Sequence, residues 1–353
     1  MPARRLENRI KALALEPSSR IEDRVVNRSA LRITVAVISH NTRELLRNCL
    51  CSVLADGPDQ VMVVDNASTD GSAAMVQREF PQVTLQANLI NTGFGAAANQ
   101  AIAASGDADY VLLLNADTTV EPGTQRALQT YLDQHPRSAI VGPRLLNVDG
   151  SLQPSCYPFP TPGHSLVDLM SLDRVFQAVP IVGGWYVRTW PHDRPRVVPW
   201  VLGAAIAVRR SAFQMVQGFD ESFFMYNEDV DLSYRLRFAG WETHFTPGAT
   251  VMHVHHASTR QYRRAMALRS VRGRFEFYRR HYTSRQLLEL RIVIAAGMLA
   301  KTLRDGARRC IAADPLKQAG LKEDLSIWWQ MLKSVVTTRV LEGRFNPPDQ
   351  PSQ

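Results

Sequence analysis

The chain has 353 residues, 45% hydrophobic and 8% aromatic side chains, and a formal charge of +8. That length and apolar content exclude a disordered or fibrous protein and suffice for one large domain with an appendage. Four cysteines, at positions 49, 51, 156 and 310, match neither a zinc site nor a redox pair and fit reduced thiols in a cytosolic setting.

The charge is unevenly placed. Residues 32–259 carry 15 Lys/Arg against 21 Asp/Glu, whereas residues 260–312 carry 14 against 3. A mildly acidic body is therefore followed by a strongly basic region, which suits an anionic membrane surface, nucleic acid or a phosphate-bearing lipid. The basic segment 1–31 lacks the apolar run of a signal peptide.

From Leu31 onward, apolar runs alternate with helical patterns. ITVAVIS at 33–39 predicts a buried strand, followed by a helix from Thr42 to about Leu54. QVMVVD at 60–65 predicts the second strand, with Ser68 or Thr69 capping a helix to Glu79. A short VTLQ strand precedes NTGFGAAANQ and an Ala-rich helix. DYVLLLNAD at 109–117 predicts another strand, with Pro122 in the first turn of the helix to about Leu132. SAIVGP gives a fifth strand, and residues 143–200, rich in proline, glycine and aromatics, read as short strands and long loops suited to an acceptor opening. WVLGAAIAVRR returns to strand-like hydrophobicity. From about Gln261 the pattern is helical to Arg339, with breaks expected near His281, Gly306 and Pro315. IVIAAGMLA at 292–300, bracketed by Arg291 and Lys301, is too short to span a bilayer, but an Arg-rich amphipathic helix can lie in the interface plane. Helices packed on the main domain with a basic outer face give the other reading.

Strands linked by single helices imply an α/β fold with a mostly parallel sheet, helices on both faces and a C-terminal helical extension. In such a sheet the chemistry gathers at the carboxyl ends of the strands. Those ends are Ser39-His40-Asn41, Asp65-Asn66 and Asn115-Ala116-Asp117. Asp65 suits a base or ribose, although a capped turn also accounts for it. Gly93 and Gly95 allow close backbone approach and would let a helix N-terminus sit near a diphosphate. Asp117, just past a buried strand, needs water, a partner or a metal, and a divalent ion bridging it to a diphosphate answers that need. Asn115 would orient the sugar or hold a metal-bound water.

In FFMYNEDVDLSYRLRF, Glu228, Asp229 and Asp231 open a helix behind a run of apolar and aromatic residues. Asp231 and Arg235 stand four apart and read as a structural pair, which leaves Asp229 or Glu228 as a shielded base. VMHVHHAS supplies His253 and His255 on one strand face and His256 on the other, any of which could join Asp117 on a metal.

The ordered set TVAVISHN, VVDNASTDGS, NTGFGAAANQ, LLLNADT, VLGAAIAVRR, FDESFFMYNEDVDLSYRLRFAGW and VMHVHHAS resembles the inverting GT-A glycosyltransferases of family two. It is most similar to bacterial rhamnosyltransferases that act on polyprenyl-diphosphate-linked sugars in envelope polysaccharide synthesis. The resemblance covers about residues 32–260. It implies a GT-A domain at 32–260, with a nucleotide-sugar half at 32–142 and an acceptor half at 143–260, and leaves 261–353 as a basic helical extension. It places Ser39, Asn41, Asp65, Asn66, Asn91, Gly93, Gly95 and Asn115 around the donor, and Gly203 and Ala204 beside the sugar. It puts Asp117, the last position of the family's Asp-x-Asp motif, and His253 on a Mg²⁺ or Mn²⁺ ion, with Asn115 standing where the motif's first aspartate would be. Asp229 falls on the general base, with Glu228 beside it.

The implied donor is a nucleotide sugar, dTDP-rhamnose, and the implied acceptor is a polyprenyl-diphosphate-linked glycan at the cytoplasmic face of the membrane. The basic helices would meet an anionic membrane surface or support homo-oligomer assembly. Another sugar or acceptor is the nearest alternative. A nucleic-acid-binding protein leaves the acidic clusters unexplained. A nicotinamide oxidoreductase is disfavoured because the first strand–helix connection, SHNTRE, has no glycine.

Overall fold

A computed structural model describes residues 32–169, 190–254, 263–311 and 315–336. The residues sort into two compact units: one runs to Phe159 and resumes over Ile181–Gln261, and the other joins Pro160–Pro180 to the chain from Tyr262.

In the first unit the apolar runs become strands and the amphipathic runs become helices. In chain order these are β1 (Ile33–Ser39), α1 (Arg43–Ala55), β2 (Gln60–Asp65), α2 (Ser72–Glu79), β3 (Thr84–Ala87), α3 (Phe94–Ala104), β4 (Tyr110–Asn115), β5 (Thr118–Val120), α4 (Thr124–Gln134) and β6 (Ser138–Leu146). Short strands β7 (Leu152–Gln153) and β8 (Cys156–Tyr157) follow, and after α5 (Pro162–Leu169, in the second unit) come β9 (Arg196–Val198), β10 (Trp200–Val201) and β11 (Ala205–Arg209). The unit closes with α6 (Arg210–Met215), α7 (Glu228–Phe238) and β12 (Glu242–His253).

The main sheet runs β3-β2-β1-β4-β11-β6-β12-β5. Its first four strands are parallel, in register from Ser39↔Asp65 to Ile38↔Asn115. Strand β11 then enters antiparallel between β4 and β6, whereas β12 lies parallel to β6 and antiparallel to β5. The parallel sheet read from the sequence thus holds for the nucleotide half and becomes mixed beyond it. The continuous hydrophobicity of the strands has a simple cause, because both faces are covered. Val35 and Val37 of β1 pack with Leu46 and Leu50 of α1, while Ala36 and Ile38 pack on the opposite side with Ala97, Ala98 and Ala101 of α3 and Leu232 of α7.

Local details correct the sequence reading. Neither Ser68 nor Thr69 caps α2: its N-cap is Gly71 at φ 84°, and Asp70 before it accepts the Ser72 N–H on Oδ1 at 3.0 Å and the Arg43 N–H on Oδ2 at 2.8 Å. Pro122 lies before α4, which starts after Gly123 at φ 85°. WVLGAAIAVRR is two strands, because Gly203-Ala204 breaks it.

The second unit contains α5, α8 (Arg263–His281), α9 (Ser284–Ile311) and α10 (Pro315–Val336). Gly306 does not interrupt α9: one interior glycine costs about 1 kcal/mol relative to alanine, which the other turns of this 28-residue helix offset. Leu290, Ile294 and Met298 of α9 are buried, as are Ile327, Met331 and Val335 of α10, and the two helices pack along this seam. Helix α5 also packs on α9, and Arg274 of α8 donates to Ser165 Oγ at 3.3 Å. Residues 160–180, expected in the acceptor half, therefore group with the C-terminal helices.

Candidate functional site

The carboxyl ends of β1 and β2 are laced together by side chains. Asn41, at φ 53°, receives Thr69 N–H on Oδ1 at 2.7 Å, and its own N–H donates to Ser68 Oγ at 2.8 Å. Buried Ser39 pairs its hydroxyl with Thr42 at 3.1 Å. Asp65 is 2% exposed: its Oδ2 accepts Ser68 N–H at 3.0 Å, whereas Oδ1 has no protein partner. A buried carboxylate oxygen left in that state is costly unless a ligand donor meets it.

Asn66 bonds within the chain. Its Nδ2 donates to Asn91 Oδ1 and the Gly93 carbonyl at 2.9 and 3.1 Å, and its Oδ1 accepts from Thr92 N–H and Asn88 Nδ2 at 3.0 and 3.1 Å. Asn91 Oδ1 accepts from Asn66 and the Gly93 N–H, so the two side chains pin the 88–93 loop to β2.

The two glycines also meet the chain itself. Gly93 sits at φ 86°, and a Cβ there would collide with the Phe224 carbonyl, which accepts Phe94 N–H at 3.0 Å. A Cβ on Gly95 would lie 3.1 Å from Phe219 and 3.8 Å from Glu228. The close approach that requires glycine is made by the 219–228 segment of the protein itself.

That segment turns sharply into α7. Tyr226 and Asn227 have φ of 71° and 72°, two consecutive left-handed residues that each cost about 1–2 kcal/mol. The turn delivers Glu228 and Asp229 at the helix start. Asp231 and Arg235 form the expected pair at 2.7 Å, and the same guanidinium donates to the Val216 and Gly218 carbonyls, both at 2.7 Å. Asn99 of α3 holds the same loop, bonding Phe219 N–H and carbonyl at 2.9 and 3.0 Å.

The two adjacent carboxylates differ in their surroundings. Asp229 Oδ2 accepts Gly203 N–H at 3.0 Å and its Oδ1 accepts Val230 N–H at 2.8 Å. Burial pushes the Asp229 carboxyl up to about 6, and those two amides restrain the rise. Glu228 is 7% exposed and its Oε2 has no partner. Burial first, and then the Asp229 charge, raise it well above the ordinary carboxylate range. The two backbone amides thus favour the anion at Asp229, whereas burial and the neighbouring charge disfavour it at Glu228.

On the other flank, Asp117 is 5% exposed in the turn between β4 and β5. His253, at the end of β12, places Nε2 3.3 Å from Asp117 Oδ1, and Val254 N–H bonds the Asp117 carbonyl at 2.9 Å. His253 Nδ1 lies 2.7 Å from Gln153 Oε1, while the Gln153 amide nitrogen donates to Asn147 Oδ1 at 2.8 Å. That chain orients Gln153 as an acceptor toward Nδ1 and holds the ring with Nε2 facing Asp117, the orientation a metal-binding imidazole adopts. His255 and His256 lie outside the described residues. Asn115 N–H donates to the Ala204 carbonyl at 2.9 Å, so Gly203 and Ala204 tie Asp229 to the end of β4. Gln153 and Asn99 have no local sequence signal, since their partners lie 100 and 120 residues away.

Residues 31–273 match the family described as "Glycosyltransferase like family 2". An N-acetylglucosaminyl-diphospho-decaprenol L-rhamnosyltransferase of Mycobacterium tuberculosis is 36% identical over 222 residues, covering 57% of this chain and 68% of that protein. The rhamnosyltransferase WbbL of Escherichia coli is 42% identical over 66 residues, 19% of this chain and 25% of its own. A pre-mycofactocin glycosyltransferase of M. tuberculosis is 31% identical over 236 residues, 65% of this chain and 44% of its own. With the family match running through every strand end that carries the site, the chain is a member of glycosyltransferase-like family 2 and its first unit is a GT-A fold.

Proposed function

We propose that this transferase moves L-rhamnose from dTDP-rhamnose to a hydroxyl of a polyprenyl-diphosphate-linked N-acetylglucosamine, inverting the anomeric carbon. The observation that carries the reading is the geometry of the carboxylate pair: Asp229 accepts the Gly203 and Val230 amides, whereas buried Glu228 beside it has one oxygen with no partner. The activity of the M. tuberculosis relative supports the choice of sugar and acceptor.

Asp229 accepts the proton of the acceptor hydroxyl as that oxygen bonds to the anomeric carbon. The bond from this carbon to the donor diphosphate breaks, and its electron pair leaves on the nucleoside diphosphate. Attack from the opposite face turns a β-linked donor into an α-rhamnoside. Asp65 offers its unpartnered Oδ1 to the base or ribose, and Ser39, Asn41 and Asn115 border the same strand ends.

The residues also fit a divalent cation. Asp117 and His253 would hold Mg²⁺ or Mn²⁺, with diphosphate and water completing the shell, and among the described residues no group of three His, Cys, Asp or Glu side chains forms a closed cage. When bound, such an ion offsets the charge of the departing diphosphate. No described helix is long and apolar enough to cross a membrane. We place the protein at the cytoplasmic membrane surface, bound peripherally through its basic C-terminal helices, with no nucleic-acid partner.

The test is a thermal-shift comparison of dTDP-, UDP- and GDP-sugars with Mg²⁺, followed by transfer to a synthetic polyprenyl-diphosphate N-acetylglucosamine. Selective stabilisation by dTDP-rhamnose and an α-linked product are expected. Stabilisation by another donor alone, without rhamnosyl transfer, would overturn the assignment.

A further inference from the structure

The outer face of α9 is apolar where a solvated helix should be polar. Leu288, Ile292, Leu299 and Leu303 are 56%, 60%, 48% and 66% exposed. Their spacing of four, seven and four residues puts them on one stripe, with exposed Ala296 between them, opposite the Leu290–Ile294–Met298 seam that packs on α10. From Leu288 to Leu303 the ridge is about 22 Å long. Exposed arginines close both ends, Arg285 before it and Arg304, Arg308 and Arg309 after it. Arg285 is paired with Glu289, and Arg304 and Arg308 with Asp305, so the acidic residues of this helix are already engaged.

We infer that this ridge inserts into an anionic lipid surface, with the helix lying in the plane of the interface and its terminal arginines among the headgroups. The inference rests on the membrane-surface reading above and adds the element that enters the lipid. Four large aliphatic side chains on one face, with basic side chains at its ends, are what an interfacial helix needs: the ridge leaves water while the arginines meet anionic headgroups. A second copy of the chain is a poorer occupant. Residues 260–312 carry 14 basic against 3 acidic side chains, and two such surfaces brought together would repel.

The experiment is co-sedimentation of the full chain with vesicles of phosphatidylcholine alone or with 30% phosphatidylglycerol, about one anionic lipid in three. The variant replaces Leu288, Ile292, Leu299 and Leu303 together by Gln; all four are exposed, and an unchanged melting temperature verifies the fold. The wild-type chain is expected to bind the anionic vesicles, and the variant to bind them at least about tenfold more weakly. As a direct readout, Leu299→Trp should shift its fluorescence to the blue on adding anionic vesicles. Wild-type binding with an unaltered quadruple variant would overturn the inserted ridge and leave the arginines alone responsible. Absence of wild-type binding would overturn the membrane reading itself. A variant that turns a dimer into a monomer and still sediments normally would assign the ridge to self-association and overturn the proposal.

Discussion

At the residue scale, the proposed chemistry depends on two neighbouring carboxyls having different surroundings. Asp229→Asn should lower kcat by about 10²–10⁴-fold while leaving dTDP-rhamnose binding intact, as read by rapid-quench turnover and donor titration. Glu228→Gln imitates the protonated acid, and turnover within a few-fold of wild type is the expected result. The plot of kcat/KM against pH should rise on an acid limb near 6, the value to which burial lifts Asp229. The same shift affects stability. Both folded values lie above the unfolded ones, so the folded state holds these protons more tightly, and stability from the pair is greatest below about pH 4. It is lost as pH rises through the folded Asp229 value of about 6. Asp229→Asn should therefore melt at a higher temperature than wild type at pH 7.5, an advantage that disappears at pH 4. On the other flank, Gln153→Ala leaves Asp117 and His253 in place but releases the imidazole. A metal affinity about 10–100-fold weaker is expected in titrations of donor binding with Mn²⁺.

At the scale of elements, the turn into α7 is held by three clamps. They are the Phe224 carbonyl on the Gly93–Phe94 backbone, Asn99 on Phe219, and Arg235 on Asp231 and the 216–218 loop. Arg235→Ala leaves Asp231, 1% exposed, without its counter-ion, and should cost about 3–5 kcal/mol in urea unfolding. Gly93→Ala and Gly123→Ala separate strain from collision. Both positions have φ near 85°, but only the first has backbone within contact of a new Cβ. Gly123→Ala should cost about 1 kcal/mol and leave turnover unchanged. Gly93→Ala should cost more and reduce turnover as well, because the Phe224 segment that aims Asp229 must move.

For the whole molecule, the contrast between an acidic body and a basic helical unit predicts a salt effect that depends on how the acceptor is presented. Transfer to a water-soluble short-chain acceptor should vary little between 50 and 500 mM NaCl, and transfer to acceptor embedded in anionic vesicles should fall over that range. Equal salt sensitivity with both acceptors would place the effect in the catalytic unit instead.

The sequence by itself determined the succession of strands and helices in the nucleotide half, the carboxyl ends where the site gathers, the Asp231–Arg235 pair and the family. Each of these is written locally, in the apolar period, in a helical spacing of four or in an ordered run of motifs. The tertiary structure decided what those signals leave open. It set the antiparallel strand β11 between β4 and β6, because strand pairing depends on which segments meet and not on strand composition alone. It joined Asn66 to the 88–93 loop and set Gly93 and Gly95 against the 219–228 segment, contacts between stretches distant in sequence. It also gave Glu228 and Asp229 different surroundings. Two adjacent acids are alike on paper, and only the folded chain brings the Gly203 amide to one of them and leaves the other buried without a partner.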